Sequence, residues 1–146
     1  MKFKSIFFVV ILALFSMFVL SSGFGQQPHI VWQKVLGGSY IDEAWSIQQT
    51  SDGGYIVAGF TLSNDGDVSG NHGFTDMWVV KLDSEGNIVW QKALGGSNGD
   101  IAYSIQQTSD KDKDKEYIVA GGTNSNDGDI SGSHEHSDFW IVKLGY

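Results

Sequence analysis

Two stretches of the chain carry oxygen side chains at a spacing that suits a hard cation. Asp65, Asp67, Ser69, Gly70 and Asp76 fall at positions 1, 3, 5, 6 and 12 of a twelve-residue run, and Asp127, Asp129, Ser131, Gly132 and Asp138 repeat it. Calcium takes about six to eight oxygen ligands from a loop that curls around it, with a glycine at the sharp bend. The expectation is a pair of weak calcium loops. Three features run against it: Asp rather than Glu at position 12, histidine at position 8 (His72, His134), and flanking sequence that favours strands over helices. The alternative is a turn-rich loop. Asn64-Asp65-Gly66 then sets a tight bend, and Asp76 and Asp138 bond nearby backbone.

Other chemistry is sparse. His72, His134 and His136 suit a transition metal or simple solvation. A glycosidase needs two carboxylates across a cleft, yet Glu43, Glu85, Glu116 and Glu135 do not recur between the two halves of the chain. Asp42 and Asp100 recur, each after a Gly-Gly-Ser turn. No Gly-x-Ser-x-Gly elbow is present. Trp32, Trp78, Trp90 and Trp140 lie in apolar runs that suit packing, whereas Trp45 exchanges with Tyr103 and keeps an amphipathic ring at a rim or binding position. The expectation is a non-enzymatic binding or assembly module. The rival is a carbohydrate-active enzyme of glycoside-hydrolase type, or a fragment of one, suggested by acidic and aromatic character.

These side chains sit on a chain of 146 residues with 19 glycines, one proline, no cysteine and no arginine. The absence of cysteine excludes a disulfide framework and a thiol nucleophile. A net charge of −8 without arginine argues against nucleic acid, whose phosphates need basic partners. At the start, Lys2 and Lys4 precede an apolar run over 6–20, and Gly23 and Gly25 occupy the −3 and −1 positions of a cleavage site. That order reads as a secretory signal peptide over 1–25. The apolar run is short of the roughly 20 residues that span a bilayer. Cleavage leaves no transmembrane segment and a domain over 26–146 with seven lysines and 17 acids. The expected location is secreted, extracellular or at the cell surface, with the periplasm as alternative.

The rest is one unit written twice. Residues 30–52 match 88–110 at 18 of 23 positions, and 55–84 match 117–146 at 19 of 30. Gly53-Gly54 in the first copy becomes a charged insertion ending at Glu116 in the second, which fits an exposed turn. Repeats of this length point to solenoids, propellers or arrays. Turn residues separate short aromatic and β-branched runs at 45–50, 55–61, 77–82 and 88–93, which predicts strands. Apolar residues on both faces, as in Trp78-Val79-Val80, predict sheets covered on both sides. The fold class is therefore all-β: two four-stranded antiparallel repeats, β-propeller-like blades of an incomplete propeller or a fragment. Repeat 1 spans about 37–94. Repeat 2 spans about 95–146 and is completed by a strand at 30–35.

The runs Trp-Gln-Lys-x-Leu-Gly-Gly-Ser (32–39 and 90–97), Ser-Ile-Gln-Gln-Thr-Ser-Asp, Tyr-Ile-Val-Ala-Gly, Ser-Asn-Asp-Gly-Asp and Asp-x-Trp-x-Val-Lys-Leu resemble repeats found in long arrays in secreted and surface proteins of certain Gram-negative bacteria. The resemblance covers nearly all of 30–144. It implies propeller-like architecture and an extracellular location rather than a reaction. Leu82-Asp83-x-x-Gly86-x-x-x-Trp90 is similar to the docking hairpin of quinoprotein-type propellers, which implies a tryptophan packed between blades. The expected partners are further copies of this chain or further repeats, with a glycan or a surface protein as ligand. The strand at 30–35 has two closures open to it: back onto 139–144 of its own chain, or onto the next protomer.

Overall fold

The computed structural model describes residues 25, 27–108, 116–134 and 136–145. The segment over 1–25, expected to be a signal peptide, lies outside the described residues but for Gly25, as does most of the charged insertion. Among the described residues seven strands follow one another without a helix: β1 (Asp42–Gln49), β2 (Tyr55–Thr61), β3 (Asp76–Leu82), β4 (Ile88–Leu94), β5 (Asp100–Gln107), β6 (Tyr117–Thr123) and β7 (Asp138–Leu144). They form two antiparallel meanders, β1-β2-β3-β4 and β5-β6-β7, with no closure into a barrel.

Local chemistry explains the turns. After β1, the Gly53 N–H donates to Thr50 O at 2.9 Å, and Gly53 adopts a φ of 83° that a side chain would resist. After β3, Asp83 Oδ1 accepts from the Glu85 and Asn87 N–H groups at 3.0 and 2.7 Å, which curls the chain into β4.

The two sheets pack face to face. Ile56, Ala58, Met77, Val79 and Leu94 of the first meet Ala102, Ile105, Tyr117 and Val119 of the second, with Trp90, Trp140, Val142 and Leu144 at the margin. Burying each large member in full is worth about 1.5–3 kcal/mol. The other face of the first sheet carries a smaller cluster, Val68, Trp78, Val80 and Leu82, against Leu36, Tyr55, Val57 and Ile88. Every residue of β3 is consequently buried, as the apolar residues on both of its faces require.

The strand expected at 30–35 is not formed. These residues have no regular structure, and the second sheet has three strands. The segment instead lies against the first sheet. Trp32 meets Tyr55 edge-on at 5.8 Å, and Lys34 Nζ donates to Asn87 Oδ1 at 3.0 Å. An isolated segment becomes a strand only with a sheet edge beside it, and β7 stands at the far end of the molecule.

Candidate functional site: a repeated aspartate latch

The second half of each repeat sends a long loop back to the Gly-Gly-Ser turn at its start. In the first repeat Asp65 Oδ1 accepts from the Ser39 N–H at 2.8 Å, and Asp65 Oδ2 accepts from the Ser39 hydroxyl. Asp67 Oδ2 accepts from the Gly37 N–H at 3.2 Å, and the Asp67 N–H donates to Gly37 O at 2.9 Å. The second repeat copies this. Asp127 Oδ1 accepts from the Ser97 N–H at 2.8 Å, Asp129 Oδ2 from the Gly95 N–H at 3.3 Å, and the Asp129 N–H donates to Gly95 O at 2.9 Å. The Ser39 hydroxyl and N–H hold the Asp65 carboxyl below its ordinary range, and the Ser97 N–H and hydroxyl do the same for Asp127.

A second tier lies beneath. Asp42 Oδ2 accepts from the Gly38 N–H at 2.8 Å and the Ser63 hydroxyl at 2.9 Å. Asp100 Oδ2 accepts from the Gly96 N–H and the Ser125 hydroxyl, both at 2.8 Å. Ser63 and Ser125 are fully buried and in turn accept from the Tyr40 and Asn98 N–H groups. These serines are the site residues that motif reading missed. Their signal is the recurrent Thr-x-Ser (61–63, 123–125) just before Asn-Asp-Gly-Asp.

The twelve-residue spacing therefore does not gather its oxygens around a common centre. Asp65, Asp67, Asp127 and Asp129 face the Gly-Gly-Ser turns. Ser69 Oγ accepts from Gln91 Nε2 at 2.6 Å, and Ser131 is exposed. Asp76 and Asp138 accept from the backbone of the histidines four residues before them, His72 at 3.1 Å and His134 at 2.7 Å. Asp76 and Asp138 thus make the backbone bonds expected of a turn-rich loop. Among the described residues no group of three or more His, Asp or Glu side chains is placed to hold a metal ion.

Asp76 and Asp138 occupy equivalent positions in different surroundings. Asp76 is fully buried, and its Oδ1 has no hydrogen-bond partner. Burial pushes its carboxyl up, and the neighbouring Asp100 adds to the rise against the pull of His72. Asp138 is partly open, and the His134 N–H pulls its carboxyl down. The difference arises because the second repeat covers Asp76, while among the described residues no further repeat covers Asp138.

The aromatic positions resolve in the same way. Trp90 packs on Tyr117 at 5.8 Å and 59°, and Trp32 packs on Tyr55 at 5.8 Å and 64°. Trp45 and Tyr103 each fall at an irregularity of register, between Ala44 and Ser46 and between Ala102 and Ser104. These bulges turn the two rings toward each other at 5.1 Å, both about half exposed.

No family model matches the sequence, and no curated protein matches it.

Proposed function

We propose that the protein is a secreted, non-enzymatic β-repeat module, propeller-like in how its blades stack, that acts by binding or assembly outside the cell. The observation that carries this reading is the latch. Two solvent-exposed carboxylates, Asp65 and Asp127, take the Ser39 and Ser97 N–H groups at the same 2.8 Å in both repeats. Their lone pairs serve the backbone, and a general acid or a nucleophile needs them for a substrate. The chemistry that recurs is thus chemistry of construction. Its result is a stack whose outward faces carry aromatic and aliphatic residues, and such faces serve recognition. A glycan or a surface protein is the expected ligand class.

The test is a glycan array run beside a reducing-sugar assay on the same polysaccharides. Binding without release of reducing ends supports the module. Release of reducing ends assigns an enzyme. Intact mass of exported protein beginning near Gln26 supports the extracellular location, and retention of 1–25 overturns it.

A further inference from the structure

The chain contains one sheet-to-sheet interface and displays both halves of another just like it. One half of the internal interface is the face of the first sheet that carries Ile56, Ala58, Met77 and Val79. The equivalent face of the second sheet carries Ile118, Ala120, Phe139 and Ile141. It is uncovered: Phe139 is 96% exposed and Ile141 57%. The other half is the face of the second sheet with Tyr117, Val119 and Val142. Its equivalent in the first sheet, with Tyr55, Val57 and Val80, has the segment over 31–36 above it and leaves a groove of about 400 Å³ lined by Gly59, Val57, Trp78 and Val80.

The groove has a counterpart that is filled. Inside the chain, Met77 presses on Gly121 so closely that a Cβ there would lie 2.5 Å from Met77 Cε. Gly59 is the equivalent of Gly121, and Phe139 is the equivalent of Met77. An exposed knob at one end of the molecule thus matches an open hole at the other.

We propose that a second copy of this chain docks head to tail, its first sheet on the outer face of β5-β6-β7, so that the internal interface continues from chain to chain. The inference rests on the assembly reading above and names its partner. The segment over 30–36 is already in position for it. Trp32 sits on Tyr55 as Trp90 of β4 sits on Tyr117, and residues 30–34 repeat 88–92 without a change. What the segment lacks is a β3 beside it, and β7 of the neighbouring copy supplies one.

The register follows from the pairs Met77↔Leu94, Trp78↔Ala93, Val79↔Lys92, Val80↔Gln91 and Lys81↔Trp90. Phe139 faces Leu36 of the second copy, Trp140 faces Val35, Ile141 faces Lys34, Val142 faces Gln33 and Lys143 faces Trp32. The second copy's Gln33 then reaches Trp140 Nε1 and Ser131, as Gln91 bonds Trp78 Nε1 at 2.8 Å and Ser69 Oγ at 2.6 Å. Tyr103 meets the second copy's Trp45, continuing the aromatic pairing between repeats. The contact is heterologous, so it grows into a ring or a filament. It also covers the apolar face and the strand edge that the single chain leaves open.

Two substitutions block opposite ends without touching the core. Phe139→Asp charges the knob. Val35→Asp charges a segment residue that is 96% exposed in the single chain. Sedimentation across low to high micromolar concentration is expected to show concentration-dependent assembly of the parent protein and a monomer for each variant. An equal mixture of the two variants is expected to give a dimer and nothing larger, since one good end of each remains. The chain has no cysteine, so Lys34→Cys protein mixed with Ile141→Cys protein is expected to oxidise to a disulfide between those two positions. A parent protein that stays monomeric, or a Val35→Asp variant that still assembles by itself, overturns the proposal. Circular dichroism that matches the parent keeps a folding defect from mimicking the expected loss. A monomer leaves the non-enzymatic binding reading standing, because that reading falls only to turnover of a glycan.

Discussion

Asp76 and Asp100 bring two fully buried carboxylates against one glycine: a Cβ on Gly95 would lie 2.7 Å from Asp76 Oδ1 and 2.7 Å from Asp100 Oδ2. Each residue also keeps one oxygen without a hydrogen-bond partner. Two like charges in a dry site oppose each other, and the Asp76 carboxyl is pushed up by burial and by Asp100. A carboxyl raised in the folded state destabilises it once the pH exceeds the value at which the unfolded chain ionises. The stability that Asp76 leaves intact in acid is therefore lost as pH rises through its raised folded value.

Asp76→Asn removes that cost and retains an acceptor for the His72 N–H. The expected result is a higher melting temperature at neutral pH. The gain should fade below the pH at which an unfolded aspartate protonates. Asp138→Asn is the matched control. Its carboxyl is pulled down by the His134 N–H, so the same change is expected to lower stability. Equal effects of the two substitutions would show that the second repeat does not set the difference.

Asp52 contributes to the acid limb of the stability profile. Its carboxyl is lowered to about 2, first by the Thr50 hydroxyl and then by Lys81. Lys81 is 4% exposed, and its Nζ lies 2.9 Å from Asp52 Oδ2 and donates to Leu82 O at 2.9 Å. A lowered carboxyl stabilises the fold above its unfolded value near 3.8 and loses that contribution as pH falls toward 2. Asp52→Asn is expected to flatten this part of a chemical-denaturation series taken at stepped pH. Lys81→Met, which removes the buried charge, is expected to be tolerated better than Lys81→Ala, which also leaves a void.

Calcium separates the latch from the cation loop. With the aspartates held by backbone N–H groups, millimolar calcium is expected to leave the melting temperature where it was, since only a ligand of the native state raises it. Asp65→Ala and Asp127→Ala are each expected to lower the melting temperature equally with and without calcium, through loss of the bonds to the Ser39 and Ser97 N–H groups. A calcium-dependent rise that Asp67→Ala with Asp129→Ala abolishes would assign the cation loop.

Gly121 and Gly122 test the packing between sheets. A Cβ on Gly121 would lie 2.0 Å from Ile101 O and 2.5 Å from Met77 Cε. Backbone cannot yield that distance, so Gly121→Ala is expected to destabilise by at least about 2 kcal/mol in equilibrium denaturation. Around Gly122 the nearest atoms to an added Cβ stand at 3.7 Å. The first repeat carries Phe60 at that position, and Gly122→Ala is expected to be neutral.

The sequence by itself determined the elements. The runs at 55–61 and 77–82, with the glycine turns between them, are enough to specify β2 and β3 because pleated geometry and turn chemistry are local. The duplication determined that the latch of one repeat is built again in the other, down to the paired 2.8 Å bonds of Asp65 and Asp127. Tertiary structure decided what those elements do to one another. Spacing puts Asp65, Asp67 and Asp76 on one loop, but the return of that loop onto Gly37–Ser39 gives the first two to backbone amides. Identical aspartates at 76 and 138 diverge because only one of them lies beneath another repeat. The segment over 30–35 copies five consecutive residues of β4 and still forms no strand. Strand character resides in the neighbour that accepts the hydrogen bonds, and for this segment the chain itself provides none.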